Sequence, residues 1–312
     1  MKYPLPYADF ASHLREIFPH YKVQKISLNA GCTCPNKDGI KGFGGCTYCN
    51  NSSFTPQYTL KTEPIIEQLQ LGIDFFRRKY KDMKFLAYFQ SYTNTYGDVD
   101  ELIRKYETAI AYPDVVGLII GTRPDCMPDE ILNYLKSLKR DKDLYVAVEY
   151  GMESTSNTVL ERVNRGHTFE ESVEAIQRTV EADIPVGGHF IFGLPGEDRD
   201  AIVKSAALIS SLPLNSIKIH QLQVLRGTKL GADFLKGEVN DLPLFTYEEY
   251  LELVADFLCH LRPDMYVDRF VSSSPPHMVI APQWGMKNYY FTLKLVSYMR
   301  ENGLFQGQKY CR

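Results

Sequence analysis

The chain has 312 residues, 44% of them hydrophobic, and a formal net charge of −3. That length allows one large domain or two ordinary ones with a sizeable core, and the charge gives no sign of a strongly basic nucleic-acid binder. The longest apolar runs, such as Val115-Val-Gly-Leu-Ile-Ile120, are too short to cross a bilayer, and the start, Met1-Lys-Tyr-Pro-Leu-Pro-Tyr7, lacks a signal-peptide apolar region. No membrane role and a cytoplasmic location are therefore expected, and there a cysteine cluster serves a metal or chemistry more often than disulfides.

In chain order, residues 1–22 read as a lead-in, and a first strand is expected over 23–28. A loop follows that carries Cys32, Cys34, Cys46 and Cys49 within eighteen residues, with glycines at 39, 42, 44 and 45. The C-x-x-C pair lets two thiolates reach one metal centre, and the glycines let the loop wrap it tightly. Residues 64–80 carry Ile65, Ile66, Leu69, Ile73 and Phe76 at helical spacing. From there short β-branched runs alternate with amphipathic stretches. Strands are expected over 85–90, 115–121, 144–149, 186–192 and 217–223, and helices over 99–111, 128–138, 155–163, 169–182 and 201–211. Pro128 suits a first helical turn, and Thr168 with Glu171 fits a capping box. Six β-then-α units imply parallel strands with right-handed crossovers, too few for an eight-fold barrel. A partial, TIM-like (β/α)6 barrel and a doubly wound sheet both fit this pattern. After about residue 230 the pattern changes. Thr246 with Glu249 can cap a helix to about Leu261, residues 265–271 suit another strand, and 284–300 suit a closing helix. No flexible linker precedes this part, so the expected organisation is a core over 1–230 with 231–312 as an extension of the same domain.

Parallel α/β folds gather ligands at the C-terminal ends of their strands, and those ends are polar here. They hold the cysteine loop, Gln90-Ser-Tyr-Thr-Asn-Thr-Tyr-Gly97, Gly121-Thr-Arg-Pro-Asp125 and Glu149-Tyr-Gly-Met-Glu-Ser154. The fifth end adds His189 and Gly193-Leu-Pro-Gly-Glu-Asp198, and the sixth adds His220, Gln221, Gln223 and Arg226-Gly-Thr228. A shared active-site mouth follows. Three chemistries compete for the cysteines. All four can close a tetrahedral zinc site, although a large α/β domain needs no metal to fold. Cys46 and Cys49 can form a redox pair, which leaves Cys34 idle. Three thiolates can hold a four-iron cluster and leave one iron open.

Cys34-Pro35, Cys46, Tyr48 and Cys49 after a first strand resemble the radical S-adenosylmethionine (SAM) superfamily. Gly121-Thr-Arg-Pro-Asp125, Glu149-x-Gly-x-Glu-Ser154, Asn164-Arg-Gly-His167, His189-x-Ile-x-Gly-Leu-Pro-Gly-Glu197 and Lys218-x-His-x-Leu-x-Val-Leu-x-Gly-Thr228 resemble its Elongator-catalytic-subunit-like branch, nearest the YhcC/YtqA type of bacterial protein. The resemblance spans nearly the whole chain. It implies that Cys34, Cys46 and Cys49 hold a 4Fe-4S cluster whose open iron binds S-adenosylmethionine. One electron then cleaves the sulfonium to methionine and a 5′-deoxyadenosyl radical. It also implies an external reductant such as flavodoxin or ferredoxin, and the branch acts on tRNA. The substrate of this chain is not legible, though RNA or tRNA modification fits the branch. Cys32 departs from the apolar residue usual at its position and reads as a bystander beside the cluster.

By the same resemblance, Gln90, Ser91, Thr93 and Asn94 stand where relatives bind the methionine amino group, although the usual Gly-Gly-Glu segment is absent. Arg165 is expected at the methionine carboxylate, Glu149 at the ribose hydroxyls, and Gly193 and Gly196 close to adenine. Arg123 joins this set, or else forms an ion pair with Glu149 inside the barrel. His189 and His220 read more simply as core histidines. A basic C-terminal helix and tail, with Lys287, Lys294, Arg300, Lys309 and Arg312, suits either an RNA-facing surface or a solvated helix face. The competing function is a zinc-stabilised binding module on the same scaffold without radical catalysis.

Overall fold

Nine strands and ten helices are found in the computed structural model, which describes residues 5–59, 64–78 and 82–311. The strands are β1 (Lys22–Leu28), β2 (Met83–Phe89), β3 (Val115–Thr122), β4 (Tyr145–Glu153), β5 (Val186–Phe192), β6 (Ser216–Gln221), β7 (Val224–Leu225), β8 (Tyr266–Arg269) and β9 (Val279–Ala281). The helices are α1 (Phe10–Ile17), α2 (Ile65–Arg77), α3 (Val99–Ile110), α4 (Asp129–Asp141), α5 (Asn157–Arg162), α6 (Phe169–Glu181), α7 (Arg199–Ser211), α8 (Lys229–Leu235), α9 (Tyr247–His260) and α10 (Asn288–Glu301).

Seven strands form one parallel sheet in the order β1-β2-β3-β4-β5-β6-β8, curled into a half-barrel, and β7 pairs with β9 beside it. The expected partial barrel is therefore present with one strand more than the six-unit reading. The seventh strand comes from the stretch after residue 230, so that stretch extends the sheet itself. Alternate strand residues take opposite faces. On β2, Phe85, Ala87 and Phe89 enter the main core with the helices, while Leu86 and Tyr88 turn to the concave side. There they meet Ile119, Ala147, and Phe10 and Leu14 of α1, so α1 plugs one end of the half-barrel.

Both expected capping boxes form, Thr168 with Glu171 on α6 and Thr246 with Glu249 on α9. Pro128 stands at the N-cap of α4, one place before the first turn. Residues 79 and 80 of the expected 64–80 helix lie outside the described residues, and α2 ends at Arg77. Two boundaries differ by four residues: α10 begins at Asn288 where 284 was expected, and β4 runs on to Glu153, past the expected end at 149. It continues through a register shift between Gly151 and Glu153 against β5, and Glu153 adopts φ 70. The glycine and the polar residues that follow it disguise this extension in the sequence. Helices α1 and α8 and the β7–β9 pair were not expected from the sequence. Among the described residues no helix is long and apolar enough to cross a membrane.

Candidate active site

The cysteine loop leaves β1 and is fixed at both ends. Gln68 of α2 brackets Asn29, accepting from its backbone N–H at 2.7 Å and donating to its carbonyl at 2.9 Å. Further on, the loop is pinned to the corner between α5 and α6. Thr47 donates its N–H to Val163 O at 2.9 Å, Asn164 Nδ2 donates to Gly45 O at 3.0 Å, and Asn36 Nδ2 donates to Arg165 O at 2.9 Å. Gly166 is required at this contact, because its φ is +75 and a Cβ would lie 2.3 Å from Asn36 Oδ1.

Cys34, Cys46 and Cys49 line a cavity of about 460 Å³ at the strand ends. Cys32 is not among the lining residues. It packs against the main core near Tyr106, and burial pushes its thiol up to about 11. Among the described residues no three His, Cys, Asp or Glu side chains converge on a single metal ion. Cys32 stands apart from the three cysteines that share the cavity. Two of the three cavity thiols, Cys34 and Cys46, face nitrogen donors suited to thiolates or cluster sulfur, and Cys49 Sγ donates to Asn51 Oδ1 at 3.2 Å. Arg165 Nη1 is 3.7 Å from Cys46 Sγ, Asn36 Nδ2 is 3.8 Å from it, and Arg123 Nη1 is 4.0 Å from Cys34 Sγ. Arg165 also pairs with Glu153 at 3.3 Å and donates to Gly151 O, yet among the described residues its buried Nε has no partner. An unpartnered buried donor beside the cysteines fits a ligand rich in acceptors.

Below this rim the concave wall carries a buried charge network. Lys25 Nζ lies 2.7 Å from Glu149 and 2.8 Å from Asp268, and Lys218 Nζ lies 2.8 Å from Glu149 and 3.3 Å from Asp268. Burial alone would raise the pKa of Glu149. The charges of Lys218 and Lys25 and the hydrogen bond from His189 outweigh it, holding this carboxyl well below the ordinary range. His189 donates through Nε2 to Glu149 at 2.7 Å; burial and Lys218 keep the ring pKa low. His220 bonds Ser272 Oγ through Nδ1 at 2.7 Å, and burial holds its pKa well below the ordinary value.

Of the residues expected to contact the cofactor, Gln90, Thr93, Arg123, Glu149 and Arg165 line the cavity, and Ser91, Asn94, Gly193 and Gly196 do not. Ser91 Oγ is 3.3 Å from Thr55 Oγ1, and Asn94 donates to Gly121 O. Gly193 faces Pro243 and Phe245, and Gly196 lies near Arg162. Arg123 pairs with Asp125 at 2.9 Å and not with Glu149, which the two lysines take. Sequence reasoning missed Lys25, Asn36, Asp268 and Arg269. Lys218 and Glu153 stood in motif blocks but received no role. A second cavity, about 740 Å³, opens between β1 and β8. Tyr88, Gln90, Lys218 and Arg269 line both cavities.

The sequence matches the radical SAM superfamily over residues 33–209 and the radical SAM C-terminal domain over 214–301. The chain belongs to the radical SAM superfamily. Within that superfamily it is 34% identical to protein YtqA of Bacillus subtilis, covering 99% of this chain and 96% of that one. It is 32% identical to protein YhcC of Escherichia coli K12, covering 91% and 89%. The fold of this radical SAM chain is also that of the archaeal Methanocaldococcus infernus Elp3, with a TM-score of 0.68 at 19% identity over 92% of this chain and 64% of that one. These likenesses place it in the YhcC/YtqA, Elp3-like branch. A more distant relative, the tRNA uridine(34) acetyltransferase of Methanocaldococcus jannaschii, is 27% identical over 61% of this chain and 34% of its own length.

Proposed function

We propose that Cys34, Cys46 and Cys49 hold a 4Fe-4S cluster and that S-adenosylmethionine binds beside it in the 460 Å³ cavity. The observation that carries this reading is the separation of the cysteines: three open on that cavity, with nitrogen donors toward Cys34 and Cys46, and Cys32 packs against the core. When bound, the cluster supplies the electron that splits the sulfonium into methionine and a 5′-deoxyadenosyl radical. The chain's own residues bind, orient and exclude water. Donors from Arg165, Asn36 and Arg123 toward sulfur stabilise the more negative, reduced state of the centre. The free Nε of Arg165 suits the methionine carboxylate. Gln90 and Thr93 offer the rim position for the amino group, backed by Ser91 and Asn94. Glu149 already accepts from Lys25, Lys218 and His189, so on this reading the ribose hydroxyls compete for what acceptor capacity remains. Gly193 and Gly196 act, on this reading, by shaping the turn after β5.

A low-potential reductant such as flavodoxin or ferredoxin supplies the electron. RNA is the proposed target, supported by the tRNA-modifying name of the archaeal relative above. Anaerobic reconstitution tests the core of the proposal. About four iron and four sulfide per chain are expected, with dithionite-driven release of 5′-deoxyadenosine from S-adenosylmethionine. Alanine at Cys34, Cys46 or Cys49 should abolish the cluster, and Cys32→Ala should retain it. One zinc and no iron after anaerobic purification would sink the reading in favour of the binding module.

A further inference from the structure

Four charges of the inner network cancel. Lys25 and Lys218 face Glu149 and Asp268 at 2.7–3.3 Å, two cations against two anions. Arg269 stands outside this balance. It follows Asp268 on β8, pairs in register with Lys218 of β6, and lines both cavities. The register shift between Ile217 and Lys218 accompanies the placing of two consecutive β8 side chains on the interior side. Among the described residues the Arg269 guanidinium has no hydrogen-bonding or ion-pair partner. The other Lys and Arg residues of the cysteine-lined cavity have partners: Arg123 pairs with Asp125, Arg165 with Glu153 although its Nε is left over, Lys218 with Glu149, and Lys37 lies over the Tyr92 ring.

The polar groups around Arg269 are sorted by type. Asn288 Oδ1 accepts from the N–H groups of Phe270 and Val271 at 3.0 and 3.2 Å, which fixes the amide so that its Nδ2 donor is left over. Ser273, an exposed residue, lines the same cavity, and among the described residues its hydroxyl has no hydrogen-bond partner. The nearby acceptors are already used: Gln221 Oε1 takes the Ser272 N–H at 2.6 Å, and Gln223 Oε1 takes the Ser274 hydroxyl at 2.6 Å. Asn288 also begins α10, whose N-cap, Lys287, makes no side-chain cap, so the first N–H groups of that helix add donors of the same sign. A surplus positive charge, an amide donor and a hydroxyl, with the two nearby amide oxygens each already accepting a bond, suit an oxyanion.

We propose that Arg269, Asn288 and Ser273 form an anion subsite in the cavity that the cysteines also line, and that it holds a phosphoryl or carboxylate group of the molecule acted upon. That the anion belongs to a substrate rests on the function proposed above; the binding of an anion does not. The fork of Arg269 takes two oxygens of the group, and Asn288 and Ser273 take the remaining lone pairs. The subsite thus fixes one end of the substrate by charge.

Inorganic phosphate and acetate, titrated into the full chain by calorimetry, test the subsite without the cluster or any turnover. Saturable binding is expected, about tenfold or more weaker in Arg269→Gln and in Asn288→Ala, and partly recovered in Arg269→Lys, which keeps the charge and loses the fork. Lys229→Ala, on exposed α8, serves as a control with unchanged binding. Preference for phosphate marks a phosphoryl substrate, and preference for acetate a carboxylate. Melting curves establish that each variant is folded, and an unfolded Arg269→Gln leaves Asn288→Ala to decide. Failure of both anions to bind wild type, or equal binding by wild type and a folded Arg269→Gln, overturns the proposal. So does a loss of S-adenosylmethionine affinity in reconstituted Arg269→Gln that matches the loss for the anions, since the site would then serve the methionine carboxylate. A chain that binds anions through Arg269 but takes zinc in place of iron overturns the radical reading and keeps the subsite.

Discussion

Glu149 is 5% exposed and touches Lys25, Lys218 and His189 at once, so its charge holds two buried ammonium groups in the barrel wall. Glu149→Gln leaves both lysines under-compensated and should cost roughly 3–5 kcal/mol, read from urea unfolding of the cluster-free protein. Glu197 behaves in the opposite sense. Burial raises its pKa from 4.5 to about 7, against the hydrogen bonds from Ser154 Oγ and Leu194 N–H. The folded state keeps the proton that the unfolded chain has already lost. Its contribution to stability is therefore most favourable below about pH 4.5 and falls as pH rises to about 7. Wild type should lose on the order of 3 kcal/mol across that window relative to Glu197→Gln, measured by denaturant unfolding at pH 5 and pH 8. Neither role was legible beforehand. Lys25, Glu149, Lys218 and Asp268 lie far apart in the chain, and only strand order brings them together. That Cys34, Cys46 and Cys49 share one cavity was foreshadowed locally, because they lie in one loop.

At the level of the element, the ends of α6 and α9 were legible because a capping box is a contact between residues three apart. Thr168→Ala should destabilise by about 1 kcal/mol, seen as a lower thermal midpoint. The course of β4 was not legible, because its reason lies in another element. At Gly151 a Cβ would stand 2.8 Å from both Arg165 Nη2 and Glu153 Oε1. The strand continues there so that the arginine can lie against its backbone and still reach Cys46 at 3.7 Å. Gly151→Ala should displace Arg165 and cost about 1–3 kcal/mol. Iron retained after reconstitution should fall with it, more than in Thr168→Ala, which lies off the cavity. Helix α1 was missed although Asp9 caps it through the Ser12 N–H, because it is short and its apolar face, Phe10 and Leu14, serves the concave side and not the outer core.

For the molecule as a whole, the half-barrel was legible from alternation, but its width was not, because β8 follows two helices rather than one. Its outer edge is covered from a distance: Val267 donates its N–H to Ala8 O at 2.8 Å. Gln306 secures that cover, accepting from the Ala8 N–H at 2.8 Å and donating to Arg262 O and Met265 O at 2.8 and 2.9 Å. Gln306→Ala strands one buried N–H and should cost about 1–3 kcal/mol, with faster amide exchange along β8. The wall that Lys218 and Arg269 present to both cavities has a thermodynamic consequence. Two negatively charged ligands, one on each side of it, share the same few cations and cannot bind independently. Each must weaken the other, and by the same factor whichever arrives first, so the two chambers act as the two ends of one balance.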